Sequence, residues 1–171
     1  MPRDERPVVE AATQEDVPAL ADCWVALARE QQAHGSRIRP VANREAILEL
    51  FRAHVHADGL LVARGHRDEL VGFASFTIET GTLELDVRRG LLTNIYVAPA
   101  HRGNGIGTKL LRAAESACAE RGATVLRLEV MAANEAGRRF YRRHGYDLAR
   151  VTMERSLDVN GKNDTHSKGG N

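Results

Sequence analysis

Apolar side chains recur at the spacing of an amphipathic helix in four stretches of the chain. The first predicted helix begins near Thr13 and ends before Gly35, and the second begins after Asn43. The third and fourth are predicted over residues 104–121 and 134–144. Three of the four end at a glycine, which is typical of helix C-termini. Each predicted helix has one apolar face that must pack against another element.

Between the helices, shorter apolar runs rich in β-branched and aromatic residues predict six β-strands. They cover residues 8–11, 60–63, 70–78, 91–97, 125–130 and 146–157. Residues 83–87 either extend the third strand or form a loop, so a seventh strand is left open. The order β-α-α-β-β-β-α-β-α-β predicts an α/β (α+β) domain, in which a mixed central β-sheet of six to seven strands is flanked by four helices.

The length of 171 residues, of which 43% are hydrophobic, suits one domain. We assign residues 1–157 to that domain and expect residues 158–171, which have almost nothing to bury, to form a disordered tail. A formal net charge of +1 gives no reason to expect nucleic-acid or membrane binding. No apolar run reaches the ~20 residues of a membrane span, and the first residues lack the apolar core of a secretory signal. We therefore expect a soluble, cytoplasmic protein.

The cysteines and histidines point to no special chemistry. Cys23 and Cys118 lie on the apolar faces of predicted helices, which favours reduced thiols packed in the core. The seven histidines show no spacing typical of metal ligands. We therefore expect no metal site.

A glycine-rich stretch carries the first candidate chemistry. Residues 94–111 read NIYVAPAHRGNGIGTKLL, so a strand leads through Gly103, Gly105 and Gly107 directly into a helix. The first amide groups of a helix have no intrahelical acceptor, and the helix dipole favours negative charge there. Glycine lets a phosphate approach the backbone, and Arg102 adds a positive charge. The stretch predicts a phosphate-binding site.

The spacing of the glycines departs from two common nucleotide-binding motifs. A Walker P-loop and the dinucleotide fingerprint GxGxxG both require a glycine at position 108, which is Thr108. The dinucleotide fold also requires a longer βαβ series than this chain contains. A dinucleotide site and a tight turn without a ligand stay as alternatives.

Two motifs resemble those of the GNAT superfamily of acetyl-CoA-dependent N-acetyltransferases. Residues 102–107, RGNGIG, are similar to its signature [QR]-x-x-G-x-[GA]. Residues 134–146, NEAGRRFYRRHGY, resemble its second signature, N-x-x-[AG]-x-x-[FL]-Y-x-x-x-G-[FY]. The predicted order of elements also resembles the GNAT fold, over roughly residues 7–157.

The resemblance implies that acetyl-CoA is the acetyl donor and assigns residues to its binding. The strand residues Ile95, Tyr96 and Val97 would pair with the pantetheine arm, next to a bulge that separates two parallel strands. Asn134 would hydrogen-bond the pantetheine, and Tyr141 would contact the coenzyme as the general acid. The loop that would bind the diphosphate comprises Arg102, Gly103, Asn104, Gly105, Ile106, Gly107 and Thr108.

The chemistry requires an acid for the departing thiolate. A tyrosine pKa of about 10 and a thiol pKa of about 8.5 make proton transfer from Tyr141 nearly matched if the cleft tunes either group. A backbone amide near Tyr96 or Val97 would stabilise the oxyanion. The alternative is that Tyr141 is a core residue and Asn134 only caps a helix.

The sequence departs from the family pattern at the position of the general base. Many family members carry a glutamate on the strand before the glycine loop, where this chain has Thr93 and Asn94. We expect Glu129 to replace it, because the LEV stretch at 128–130 resembles that of the bacterial ribosomal-protein N-terminal acetyltransferases. Burial at an apolar strand end would raise the pKa of Glu129 toward useful base strength. Alternatives are a surface carboxylate paired with Arg127 and, as the base, Glu84, Asp86 or a water chain.

The resemblance therefore implies an N-acetyltransferase that moves an acetyl group to a primary amine by direct attack on the thioester. A protein N-terminus, a lysine and a small amine are all open as acceptors. Glu79, Glu84 and Asp86 favour a cation, whereas Arg37 and Arg39 favour an anion. A catalytically inactive coenzyme A-binding regulatory or interaction module is the alternative. A homodimer is also left open.

Overall fold

The computed structural model describes residues 7–81 and 83–157. Within them a five-stranded sheet has the order β1-β2-β3-β4-β5, in which every neighbouring pair is antiparallel except β4 and β5. In chain order the elements are β1 (Val8–Ala11), α1 (Val17–Gln32), α2 (Arg44–His56), β2 (Leu60–Arg64), β3 (Leu70–Ile78), β4 (Arg89–Val97), α3 (Ile106–Glu120), β5 (Val125–Leu128) and α4 (Glu135–Arg143).

The predicted mixed sheet, the four helices and the order of elements through α4 are confirmed, but the strand count is lower than expected. Residues 146–157 form no strand, and neither do the described residues of 83–87. Tyr146 packs against the core, but Leu148, Met153 and Leu85 are all exposed. The predicted fifth strand also ends two residues early, at Leu128. The expected tail, residues 158–171, lies outside the described residues.

The sheet is covered on both faces, and each face has its own apolar core. On one face α1 and α2 pack through Leu20 and Phe51 against Phe73 of β3. On the other face α3 packs through Leu110 and Cys118 against those strand residues whose side chains point to that side of the sheet. Successive side chains of a strand point to opposite faces, so β3 contributes to both cores. As expected, Cys23 and Cys118 are free thiols.

No helix among the described residues is long and apolar enough to cross a membrane.

A buried ion pair joins the start of α1 to the sheet. Asp16 precedes α1, and its carboxylate accepts hydrogen bonds from the Thr13 amide (2.8 Å) and from Arg64 Nη2 on β2 (2.8 and 2.9 Å). Both charged side chains are largely buried. Burial favours a raised pKa for Asp16, but the bonds from Thr13 and Arg64 outweigh it and leave that pKa below its usual value. The carboxylate therefore stabilises the fold only while it is ionised.

We expect Asp16→Asn to destabilise the protein by on the order of 1–3 kcal/mol at pH 7, because Arg64 loses the most buried of its three carboxylate partners, the others being Glu10 and Asp68. A lowered pKa in the folded state means that this stabilisation is complete above the pKa of the unfolded carboxyl and is lost as the pH falls through the folded value. In urea titrations the difference between the wild-type and variant free energies of unfolding should therefore shrink as the pH falls below the unfolded carboxyl's pKa of about 3.9.

The matched control is Asp22→Asn, because Asp22 pairs with Arg44 at 2.8 Å but is 67% exposed. That exposed pair should be worth less than about 1 kcal/mol. Equal losses in the two variants at pH 7 would contradict the role assigned to the Asp16–Arg64 pair.

Candidate active site

The strands β4 and β5 separate and open a cleft in the sheet. They pair in parallel from Arg89 opposite Val125 to Leu92 opposite Leu128, and there β5 ends while β4 continues to Val97. A cavity of about 640 Å³ lies at this opening. Its wall comprises the end of β4, the glycine loop, the start of α3, residues 128–131, the inner side of α4 and part of α1.

A β-bulge lies at the point of separation, as the resemblance implied. Ser75 pairs with Asn94 while Phe76 pairs with Leu92, so Thr93 is an extra residue in β4. The bulge is held by a hydrogen-bonded group around the buried Ser75. Its hydroxyl lies 2.6 Å from Thr93 Oγ1 and accepts from Asn94 Nδ2 at 2.8 Å, while Thr93 Oγ1 donates to the Ser75 carbonyl at 3.0 Å. The residues that replace the family's glutamate therefore shape the cleft.

The glycine loop requires glycine for its backbone conformation at two positions. Gly103 has φ +78° and Gly105, the residue before α3, has φ +77°, a region that side-chain-bearing residues rarely adopt. A Cβ atom at either position would meet nothing within 4 Å. The absent side chains therefore leave the loop open on its outer side. Gly107, by contrast, lies inside α3, where an added Cβ would approach the Phe140 ring to 3.5 Å.

Six consecutive amides of this loop are available to a ligand. The amides of residues 103–108 donate no hydrogen bond to any residue in the described ranges, and the first helical bond of α3 runs from the Lys109 amide to the Gly105 carbonyl. These groups lie at the positive end of the helix dipole. Such an arrangement suits an anion, above all one with several oxygens.

The predicted binding residues converge on this cavity with one exception. Ile95, Tyr96 and Val97 line it, as do Arg102, Gly103, Gly105, Ile106, Gly107 and Thr108 and, from α4, Asn134 and Tyr141. Asn104 does not line it, because its side chain turns back toward the His101 carbonyl, 3.5 Å away.

Arg102 has a different set of partners from the one expected. Its Nε donates to the Val97 carbonyl at 2.8 Å, and its Nη2 donates to both carboxylate oxygens of Glu30 at 2.9 Å. Its guanidinium also lies 5.6 Å from the centre of the Tyr96 ring. The charge expected to face a phosphate is thus neutralised by α1, and Arg102 instead connects α1 to the end of β4.

Asn134 caps α4, which is the alternative role that the sequence left open for it. Its Oδ1 accepts from the Gly137 amide at 2.9 Å, which is the ordinary bond of a helix N-cap. The Nδ2 group of Asn134 has no acceptor among the described residues, and Asn134 lines the cavity. Capping and ligand binding are therefore compatible, because they use different atoms of the amide.

Tyr141 lies two helical turns further along α4, on the same side of the cavity. Its ring contacts Phe140 and Tyr146 edge-on, and its hydroxyl has no hydrogen-bond partner among the described residues. Burial raises the pKa of Tyr141 to about 12. The phenol is therefore protonated throughout the neutral range and has a free proton to donate.

Glu129 is not buried as expected from the sequence. It lies just beyond the end of β5, its side chain is 85% exposed, and its carboxylate lies 3.3 Å from Arg127 Nη1. Arg127 also donates to Glu79 at 2.7 Å, so one guanidinium serves two carboxylates. The strand ends before Glu129, so the side chain lacks the apolar surroundings that the prediction required. Glu129 does border the cavity.

Sequence reasoning missed two parts of the wall. The end of α1 and the turn that follows it contribute Leu27, Glu30, Gln31 and His34, for which the helical pattern gave no functional signal. His144, at the end of α4, lies 3.0 Å from Thr108 Oγ1 through its Nε2. It falls within the second motif, at a position where the motif accepts any residue.

Comparison with known proteins agrees with this geometry. Residues 17–146 match the Acetyltransferase (GNAT) family, so the chain belongs to that family. The protein is also 40% identical over 85 residues to a streptothricin acetyltransferase from Streptomyces lavendulae. That alignment covers 50% of this chain and 42% of the Streptomyces enzyme, so the chain spans less than half the length of this relative.

Solved structures share the fold at low sequence identity. A GCN5-related N-acetyltransferase from Ralstonia eutropha superposes with a TM-score of 0.72 at 20% identity, covering 88% of this chain and 99% of that one. An aminoglycoside N-acetyltransferase in complex with CoA gives a TM-score of 0.69 at 16% identity, covering 92% and 99%. At these identities the likeness concerns the fold alone.

The glycine loop yields a direct test. Gly105→Ala should cost about 1 kcal/mol of unfolding free energy, because alanine is strained at φ +77°. Gly107→Ala should be neutral or stabilise by up to about 1 kcal/mol, because that residue is helical and the new methyl group makes only ordinary contact with Phe140. Urea titration of both variants measures the difference. Similar effects at the two sites would show that the loop does not hold Gly105 in this conformation.

Proposed function

We propose that this protein is an acetyl-CoA-dependent N-acetyltransferase that transfers an acetyl group to a primary amine. The observation that carries the proposal is the row of six amides, residues 103–108, that donate to no described residue. They lie at the start of α3, beside a cleft lined by Tyr141, whose hydroxyl also has no partner among the described residues. Family membership supports acetyl transfer. The diphosphate of coenzyme A supplies the multi-oxygen anion that these amides suit.

The open edge of β4 would receive the pantetheine arm. Beyond Leu92 this edge has no neighbouring strand in the described structure, because β5 has ended. Its backbone groups can therefore pair with the amides of an extended ligand in the manner of an added strand. The free Nδ2 group of Asn134 would donate to the same arm. Together with the amide loop, these contacts would place the thioester beside Tyr141.

The reaction then needs one proton delivered and one removed. The amine attacks the thioester carbonyl, its nitrogen–carbon bond forms, and the carbon–sulfur bond breaks as the tetrahedral oxyanion collapses. A backbone amide near Tyr96 or Val97 is suited to stabilise that oxyanion. Tyr141 is the proposed donor of a proton to the departing thiolate, and the proton lost by the attacking nitrogen leaves through a base.

The raised pKa of Tyr141 changes the expected energetics. Full proton transfer from a phenol with a pKa of about 12 to a thiolate whose acid has a pKa of about 8.5 would be uphill by about 5 kcal/mol. The same apolar surroundings would also raise the pKa of a thiol placed there, which narrows the gap. Tyr141 would thus act first as a hydrogen-bond donor to the sulfur, with the proton moving as the carbon–sulfur bond breaks.

We retain Glu129 as the proposed base, with a role suited to its exposure. A carboxylate in solvent at the rim of the cleft would accept the proton from the ammonium form of the acceptor or through a water chain. Arg127 holds this carboxylate near the end of β5.

The cytoplasmic location and the absence of nucleic-acid and membrane partners stay expectations, as does a homodimer.

The acceptor is best found with a thiol-release screen. Acetyl-CoA would be incubated with the protein and with peptides, lysine, polyamines, aminoglycosides or streptothricin, the last because of the similarity to streptothricin acetyltransferase. Release of coenzyme A with one amine class would support the proposal and name the acceptor. Tight acetyl-CoA binding without release across the panel would favour the inactive coenzyme A-binding module. A rise in melting temperature with NAD but not with coenzyme A would favour a dinucleotide site.

Tyr141→Phe should lower kcat by about 10²-fold or more, because it removes only the proton donor. The dissociation constant of coenzyme A should change less than about threefold, since the amide loop is untouched. Steady-state kinetics and calorimetry separate the two effects. Tyr146→Phe is the matched control, because that phenol donates to Glu115 at 2.8 Å and does not line the cavity. Unchanged turnover in Tyr141→Phe would remove this residue from the acid role.

Glu129→Gln should alter the acidic limb of the pH–rate profile, because the amide accepts no proton in this range. Glu49→Gln is the control: Glu49 is exposed on α2, pairs with Arg52 and lies outside the cavity wall. The profiles of wild type, Glu129→Gln and Glu84→Gln would be compared at saturating acetyl-CoA. If Glu129→Gln matched wild type at every pH, Glu129 would be discarded as the base.

A further inference from the structure

His144 occupies a defined position between the two helices that border the proposed diphosphate site. Its Nδ1 lies 2.8 Å from the carbonyl oxygen of Phe140, one turn earlier in the chain. Its Nε2 lies 3.0 Å from the hydroxyl of Thr108, the third residue of α3. Its ring also lies against Phe140, with centroids 4.5 Å apart. Both Thr108 and His144 line the cavity.

These two contacts determine where the protons lie. A carbonyl oxygen only accepts, so Nδ1 of His144 carries a proton and donates it to Phe140. In the neutral ring Nε2 is then an acceptor, and the Thr108 hydroxyl must donate its single proton to it. The hydroxyl therefore offers only lone pairs to anything else in the cavity. An anion meets no donor at this hydroxyl while the imidazole is neutral.

Protonation of His144 reverses the bond. Nε2 then carries a proton and donates it to Thr108 Oγ1, which frees the hydroxyl proton to point elsewhere. The unpaired amide of Thr108 belongs to the same residue, so the freed hydroxyl adds a seventh donor beside the six amides. The imidazolium also adds a positive charge next to them.

We propose that His144 is a positioning residue of the diphosphate site, and that coenzyme binding is coupled to uptake of one proton by its imidazole. The proposal rests on the proposed function, because it requires a diphosphate at the start of α3. The proton comes from solvent and ends on Nε2, and the heavy-atom skeleton is unchanged. The affinity for the coenzyme is higher when the imidazole is protonated.

The other charged groups around the pair lie on α3 and along the cavity wall. On α3, the Lys109 ammonium group donates a hydrogen bond to the Pro7 carbonyl, and Glu115 accepts one from the Tyr146 hydroxyl. Arg102 is paired with Glu30 across the cavity. The remaining charged or titratable groups of α3 and the cavity wall are Arg112, Cys118, Glu120, His34, Tyr96, His101, Glu129, Tyr141 and Arg143. Among the described residues, none of these is hydrogen-bonded to the His144 ring.

The experiment measures coenzyme A binding by calorimetry between pH 6 and pH 8, in buffers of different ionisation enthalpy. Wild type should bind about tenfold more weakly at pH 8 than at pH 6 and should take up a fraction of a proton on binding. His144→Gln should lose most of that dependence while keeping affinity, because its side-chain amide can donate permanently to Thr108. His144→Phe should also lose the pH dependence, since the ring that replaces the imidazole neither takes the Thr108 hydroxyl proton nor gains a charge.

Three controls separate this linkage from other effects. Coenzyme A phosphates titrate in the same range, so the comparison that counts is wild type against His144→Gln. Acetyl-pantetheine, which lacks the diphosphate, should bind all variants alike. His56→Gln, which changes an exposed histidine outside the cavity wall, should behave as wild type. Thr108→Val should abolish any further effect of His144→Gln, as expected of two residues acting as one unit.

The outcomes are distinguishable. Coenzyme A binding with the same pH dependence and proton uptake in wild type and His144→Gln would overturn the role of His144 and leave the proposed function intact. An equal loss of affinity for coenzyme A and acetyl-pantetheine in His144→Phe would indicate general damage to α4 and would also count against it. If wild type bound no coenzyme A at any pH, the proposed function would fail and this inference with it.

Discussion

The separation of β4 from β5 is the constraint on which the rest of the cleft depends. A strand inside a sheet has both edges paired, so a ligand can reach its backbone only where a neighbour ends. Here β5 ends at Leu128 while β4 runs five residues beyond its partner position. The buried Ser75 and its bonds to Thr93 and Asn94 keep the extra residue of β4 in place. The buried Ser75 hydroxyl thus stabilises β4 at the point where the sheet opens.

The electrostatics of the cleft depend on backbone more than on side chains. Arg102 is paired with Glu30, and Arg127 with Glu79 and Glu129, so these arginines beside the opening are already neutralised. Amide dipoles remain, and they are fixed in direction by the start of α3. An anion bound there would be recognised by the shape of the loop, which few side-chain substitutions can alter.

Sequence reasoning succeeded where local pattern determines structure. The apolar faces of the helical pattern located all four helices. The spacing of Gly103 and Gly105 located a loop that requires glycine at both positions, because both have positive φ angles. It failed where residues far apart in the sequence determine which side chains pair and which are exposed. The partner of Arg102 is 72 positions away, so no local pattern pairs it with Glu30. The exposure of Glu129 depends on where β5 stops, and residues 146–157 had strand-like composition but no partner strand.

The distribution of strand lengths has a consequence for the behaviour of the protein at high concentration. The two outermost strands, β1 and β5, have four residues each, whereas the interior strands β3 and β4 have nine. An outer strand offers unpaired backbone groups to other molecules, and its capacity to recruit them grows with its length. Because the longest strands lie inside, the two outer strands offer only short templates for edge-to-edge stacking, which disfavours amyloid-like growth from these two edges.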